Sequence, residues 1–246
     1  MHTKVSILLS QVFSNLSAKN PRILRQFADS KGFDKLLCKS ALFCVGLRKI
    51  NLSLQNQSFD LQVKIGSLLK ELTELIKNMA SEGLINKESE SFEINAIAWL
   101  VETLKAPSCF DKGELYDLET HLSQQIDHLC ENLRKEYFGK IVQFVKDQSE
   151  GKEPSLSVVE EISREFCENW KLKLANLKNE VESRFVKFNL GDKIVRNAVH
   201  GILEIYQVGF NSQKFFSEVK KVYPSFVVNM YPVHKLNADI KSIVNH

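Results

Sequence analysis

Glycine and proline are scarce: ten and five in 246 residues, where an average chain of this length would carry roughly 17 and 12. That scarcity excludes collagen-like and proline-rich linker sequences. It also argues against turn-dense β-sandwiches and glycine-rich nucleotide-binding folds. The five cysteines (Cys38, Cys44, Cys109, Cys130, Cys167) are odd in number and form no CxxC pair, so reduced cytosolic thiols, mostly in the core, are expected. Long apolar runs are missing too. The longest, Ala41–Leu47, contains Gly46 and falls far short of the roughly 20 residues that span a bilayer. Near the start, Val5–Leu9 is too short and serine-punctuated for a signal peptide. What is abundant is hydrophobic residue content, 43%, beside 26% charged, too apolar for a disordered chain. The expectation is a cytosolic all-α protein.

Charge is mixed rather than patterned. The net is +3, and residues 1–110 carry 14 basic and 10 acidic side chains, 111–189 carry 12 and 16, and 190–246 carry 7 and 4. A nucleic-acid module concentrates Lys and Arg on one stripe; here the signs are interspersed as on solvated helix faces, so no nucleic-acid partner is expected.

Helical periodicity runs the length of the chain. Thr3–Ala18 spaces Val5, Leu8, Leu9, Val12, Phe13 and Leu16 helically, and Pro21 fits the first turn of a short helix to about Ser30. Phe33–Leu54 predicts a buried helix and Phe59–Ser81 an amphipathic one, followed by a polar connector at residues 84–91. Phe92–Lys105 predicts another helix, stopped by Pro107. Asp111 and Glu114 form a capping pair that opens a long helix continuing through Tyr137 and Val145. After the loop Ser149–Pro154, Ser157 and Glu160 suggest a second capping pair. The helix behind it has the stripe Val158, Ile162, Phe166, Trp170, Leu174, Leu177, Val181, Phe185 and Phe188, eight steps over 30 residues, a mean of 3.75. That exceeds the 3.5 of a left-handed coiled coil, so a bundle helix fits better than a zipper. Asn189–Gly191 interrupts, Asp192 opens a further helix that Phe215–Val222 extends, and His234–Val244 is the last. Two segments are expected: an N-terminal helical bundle over 1–90 and a C-terminal bundle domain over 91–246.

Catalytic chemistry finds no carrier. Of the six histidines (His2, His121, His128, His200, His234, His246), only His121 and His128 share a helix face, two turns apart, too far for one zinc ion. No P-loop, H-E-x-x-H, G-x-S-x-G or G-x-G-x-x-G pattern occurs. Carboxylate pairs such as Glu160/Glu161 and Glu180/Glu182 sit among basic residues, as solvated pairs do. No catalytic residue, cofactor or metal is therefore expected. Lys220, Lys221, Lys235 and Lys241, with Tyr223 among them, form a weak basic patch for a membrane or partner, thinner than the roughly four to eight clustered charges such patches use.

Three stretches are more specific: 136–151 (EYFGKIVQFVKDQSEG), 168–210 (ENWKLKLANLKNEVESRFVKFNLGDKIVRNAVHGILEIYQVGF) and 228–244 (VNMYPVHKLNADIKSIV). The ordered elements are Trp170, then Val181, Phe185, Phe188 and Gly191, then Ile194, Leu203 and Tyr206. After a short linker come Asn229, Leu236, Ile240 and Lys241. This pattern resembles the C-terminal part of the vacuolar protein sorting-associated protein 52 family, subunits of the Golgi-associated retrograde protein tethering complex. A weaker match lies at Phe92–Asn95 with Trp99 and Leu104, where the family's second Asn is lacking; residues 1–90 carry no family motif. The family's long N-terminal coiled coil is also lacking, so a fragment or a natural short form is expected.

The resemblance implies elongated, rod-like antiparallel helical bundles of the multisubunit-tether type. It implies partners as well: the sibling subunits, vacuolar protein sorting-associated proteins 51, 53 and 54, with SNARE proteins and small GTPases. It places the chain in endosome-to-trans-Golgi-network transport, cytosolic and peripheral on those membranes through the complex. It carries over no catalytic residue. A generic cytosolic helical adaptor or scaffold that binds partner helices is the alternative.

Overall fold

The computed structural model describes residues 30–54, 59–83, 87–152, 155–185, 189–211 and 233–245. Among them are seven helices and no strand: α1 (Ser30–Ser53), α2 (Phe59–Gly83), α3 (Lys87–Lys105), α4 (Lys112–Ser149), α5 (Leu156–Arg184), α6 (Leu190–Asn211) and α7 (Val233–Asn245). The all-α expectation holds. The expected helices over 3–18, 21–30 and 215–222 lie outside the described residues, apart from Ser30. The chain divides into two compact units, Met1–Gln125 and Ile126–His246, so the division falls inside α4. The expected boundary after residue 90 differs from this. It falls within α3, which packs on α1 and α2 in one unit.

In the first unit, α1, α2 and α3 pack pairwise, with short connections that make sequential neighbours antiparallel. The core is aliphatic: Leu68, Leu72, Leu75 and Ile76 of α2 face Ile97 and Leu100 of α3, and Leu115 and Leu118 of α4 join them. The polar stretch 84–91, expected as a connector, is shorter than that. α3 already begins at Lys87, and the Ser89 hydroxyl donates to the Ala80 carbonyl at 2.7 Å, a contact that tightens the turn. Asp111 and Glu114 cap α4 reciprocally, as their spacing indicates. The Glu114 N–H donates to Asp111 Oδ1 at 2.9 Å, and the Asp111 N–H to Glu114 Oε2 at 3.0 Å.

The second unit takes α4 from Ile126 onward, with α5, α6 and α7; α6 packs against both α5 and α7. Its core sets aromatic rings among aliphatic side chains. Phe166 stacks on Tyr206 with ring centroids 4.6 Å apart and tilts against Phe138 at 6.2 Å. α4 leaves helical geometry at Phe138 (φ −128°, ψ 28°), next to Gly139, a poor helix former. The Ser157/Glu160 capping expectation fails. The N-cap is Ser155, without a side-chain cap bond, and Ser157 Oγ lies 3.1 Å from Ser155 Oγ instead. The α5 stripe is shifted at its start: Val158 is exposed and Val159 buried, because both positions lie within one turn of Ile162. α5 ends at Arg184, with the Phe185 N–H donating to the Val181 carbonyl.

Candidate functional site

The residues of the family-like pattern are mostly interior. Trp170 is 2% exposed, and Val181, Phe185, Gly191, Ile194, Tyr206, Leu236 and Ile240 are also buried. Leu203 is half-buried, and Phe188 lies outside the described residues. Gly191 has a packing reason to be glycine: a Cβ there would meet the Phe185 carbonyl oxygen at 2.9 Å, where α5 turns into α6. Such a stripe fixes a bundle and leaves recognition to other faces.

Of the basic patch, Lys235 and Lys241 are exposed on α7; Lys220 and Lys221 lie outside the described residues. Ion pairs occupy the polar faces of α4 and α5. Lys140 reaches Glu161 at 3.0 Å and Glu165 at 2.8 Å, and Lys173 reaches Glu165 at 2.7 Å. Lys140 first, then Lys173, holds the Glu165 carboxyl below its usual 4.5. The Tyr137 hydroxyl donates to Glu180 Oε2 at 2.6 Å, and Arg184 holds the other carboxylate oxygen at 2.9 Å. Burial first, and then the bond to Glu180, pushes the Tyr137 phenol up.

One buried charge was not visible in the sequence pattern. Arg48 of α1 donates through Nε to the Cys109 carbonyl at 3.1 Å and pairs with Glu114 Oε1 at 2.8 Å. The two side chains are only 7% and 17% exposed, so α1 clamps the capped start of α4.

His121 is half-buried and bonded to Glu93 at 2.9 Å. Among the described residues no group of three His, Cys, Asp or Glu could hold a metal ion. None of the five cysteines forms a disulfide, and burial pushes the Cys44 thiol up to about 12, so it stays protonated and unreactive at neutral pH. Among the described residues no helix is long and apolar enough to cross a membrane.

Two features have the form of an interaction surface. One is a set of exposed apolar side chains on α1 and α2, including Leu42, Ile50, Phe59 and Val63. The other is an open cleft of about 510 Å³ between α4 and α6, lined by Asp127, Cys130 and Arg134 on one side and by Arg196, His200, Gly201 and Glu204 on the other. Sequence reasoning missed the cleft because its walls come from separate helices. The available signal was Gly201, a glycine inside a helical pattern.

The chain is 26% identical over 174 residues to the vacuolar protein sorting-associated protein 52 homologs of Rattus norvegicus and Mus musculus, and 25% identical to that of Homo sapiens. Each alignment covers 68% of this chain and 24% of the relative, so the chain matches about a quarter of the length of these proteins. No family model matches. No solved structure matches either. The chain is thus distantly similar to the vacuolar protein sorting-associated protein 52 homologs, in keeping with the ordered pattern from Trp170 to Ile240.

Proposed function

We propose that this chain is a non-enzymatic subunit, or part of one, of a Golgi-associated retrograde vesicle-tethering complex acting in endosome-to-trans-Golgi-network transport. The observation that carries the reading is the relationship to vacuolar protein sorting-associated protein 52 homologs. All-helical bundles fit the mechanics of the role. A tether needs stiff segments and lateral binding faces, and a 29-residue helix such as α5 spans roughly 44 Å at ~1.5 Å per residue. Its partners in this reading are the sibling subunits 51, 53 and 54, with SNARE proteins and small GTPases recruited by the assembled complex. Membrane association is peripheral, through the complex and the Lys220, Lys221, Lys235 and Lys241 patch. The pattern from Trp170 to Ile240 serves as scaffold rather than as a contact surface.

Affinity capture of the tagged chain from cytosol tests this. Recovery of the sibling subunits is the expected result, and their consistent absence overturns the reading in favour of a generic helical adaptor. Liposome flotation tests the patch: charge reversal of the four lysines lowers flotation if the patch contributes, and unchanged flotation removes it from the account.

A further inference from the structure

The α7 helix (Val233–Asn245) is held differently from the other helices of its unit. Residues 212–232 separate it from α6 in the sequence, whereas only a short connection joins each earlier pair of consecutive helices. At 13 residues it is at the lower limit for a helix that stands alone in water, so its helicity depends on docking. It packs against α6. Among its described side chains Leu236 and Ile240 are buried, Asn237 and Asp239 are half-buried, and His234, Lys235, Ala238, Lys241 and Ser242 are exposed. Two aliphatic anchors four residues apart lie one above the other on a helix face, the arrangement by which an amphipathic helix enters a groove. Asp239, just before the second anchor, reaches Lys171 of α5 at 3.5 Å. The receiving surface therefore offers an apolar seat on α6 and a cation on α5.

The unit is tied together without α7. Phe166 of α5 meets Phe138 of α4 and Tyr206 of α6. The Cys130 thiol of α4 donates to the Ile194 carbonyl of α6 at 3.5 Å, and Gly191 lets α6 start close against the Phe185 carbonyl at the end of α5. None of these ties uses a residue of α7. An element with few anchors and a long connection is among the first to open in a folded protein. Release of α7 uncovers a seat already shaped for a helix, in which the tethered occupant competes with any free helix of the same chemistry.

We infer that α7 is a detachable latch and that its seat on α6, beside Lys171 of α5, is a helix-binding site filled in cis. The partner it fits is an amphipathic helix of another protein, with aliphatic anchors four residues apart and a carboxylate immediately before the second, the chemistry that α7 itself displays. The inference stands apart from the tethering reading, since it rests only on how α7 is held.

Hydrogen exchange of the full chain, read by mass spectrometry, tests the latch. The α7 amides should exchange about ten-fold faster or more than those inside α5 and α6; protection equal to that of α6 overturns the inference. The seat is tested on the full chain with Leu236→Asp and Ile240→Asp, which releases α7 and keeps its tether. Two fluorescein-labelled peptides are the probes: residues 228–245 of this chain, and an Ala/Lys helix that carries only Leu, Asp and Ile at the α7 spacing. Both should give a saturable polarisation signal with the released chain. Both should bind the unsubstituted chain about ten-fold more weakly or less, because tethered α7 occupies the seat there. Exchanging the peptide's Asp for Lys should weaken binding several-fold, and Lys171→Glu in the released chain should restore part of it. Loss of the cooperative Trp170 unfolding transition in the released chain overturns the inference, as do absence of saturable binding and equal affinity of the unsubstituted chain. Binding of the first peptide alone assigns the seat to α7, in cis or from a second copy, and overturns the choice of a foreign partner.

Discussion

Both units bury aliphatic cores, the second with more fully buried aromatic rings, and the Arg48 and Lys140 ion pairs carry different weight. The first unit closes an aliphatic core of Leu and Ile around one deep ion pair, Arg48–Glu114. The second closes on Trp170, Phe166, Phe138 and Tyr206 among aliphatic residues; Lys140 and its two partners lie on the outside of α4 and α5, while Arg184–Glu180 is partly enclosed. A salt bridge of similar length therefore means different things in the two halves. Buried, its loss strands a desolvated charge. On the rim it is screened by water and salt. Lys140 is 59% exposed despite its two short ion pairs, whereas Arg48 has a buried Nη1 without a hydrogen-bond partner. That pair specifies where α4 starts more than it adds net stability.

The sequence holds only two tryptophans, and the units have one each. Trp99 reports the first and Trp170 the second. The largest expected effect is Trp170→Ala, a loss of about 3–5 kcal/mol in the second unit from the cavity it leaves, read by chemical denaturation under circular dichroism. A loss below about 1 kcal/mol would mean that the aromatic stripe is not a core. Next is Glu114→Ala, which strands Arg48 and removes the reciprocal cap. It should cost about 3 kcal/mol in the Trp99 transition, while Arg48→Met with Glu114→Leu recovers most of it. If single and double variants are equally destabilised, the clamp is not a coupled pair.

Smaller effects belong to the second unit. Tyr137→Phe removes one hydrogen bond to a charged acceptor and should cost about 1.5 kcal/mol in the same denaturation assay. Acid sharpens the comparison further. The folded Glu165 carboxyl titrates below 4.5, so the ionised form is favoured by folding. Its contribution is complete above the unfolded value and is lost as pH falls through the lower folded one. Glu165→Gln should therefore flatten the stability profile of the second unit below about pH 4.5 and leave the first unit's profile unchanged. Smallest of all, Lys140→Ala should leave the neutral-pH midpoint unmoved at physiological salt. A large shift there would erase the distinction between buried and rim pairs.

Local features were legible before the structure, and those that depend on distant partners were not. The Asp111/Glu114 cap could be read because both partners lie within one turn, and the α5 stripe because burial repeats at helical spacing. Ser157/Glu160 matched the same capping pattern but failed, since α5 starts earlier, after Ser155, and its entry sets which hydroxyl faces the first turn. Val158 was placed inside because spacing alone does not separate it from Val159. Arg48 looked like any surface arginine; its partners lie 61 and 66 positions away, at Cys109 and Glu114. Gly191 was readable as part of the family-like pattern, yet its reason, the close approach of the Phe185 carbonyl, needed coordinates. The α4–α6 cleft required two helices side by side, and Gly201 was its one linear trace.

The central claim is that this helical chain works as a component of a tether, and it is tested most directly by mixing the purified chain with recombinant sibling subunits 51, 53 and 54 on a sizing column. Co-elution in one stoichiometric peak is the expected outcome. Elution of the chain alone, with the siblings assembled without it, would contradict the account.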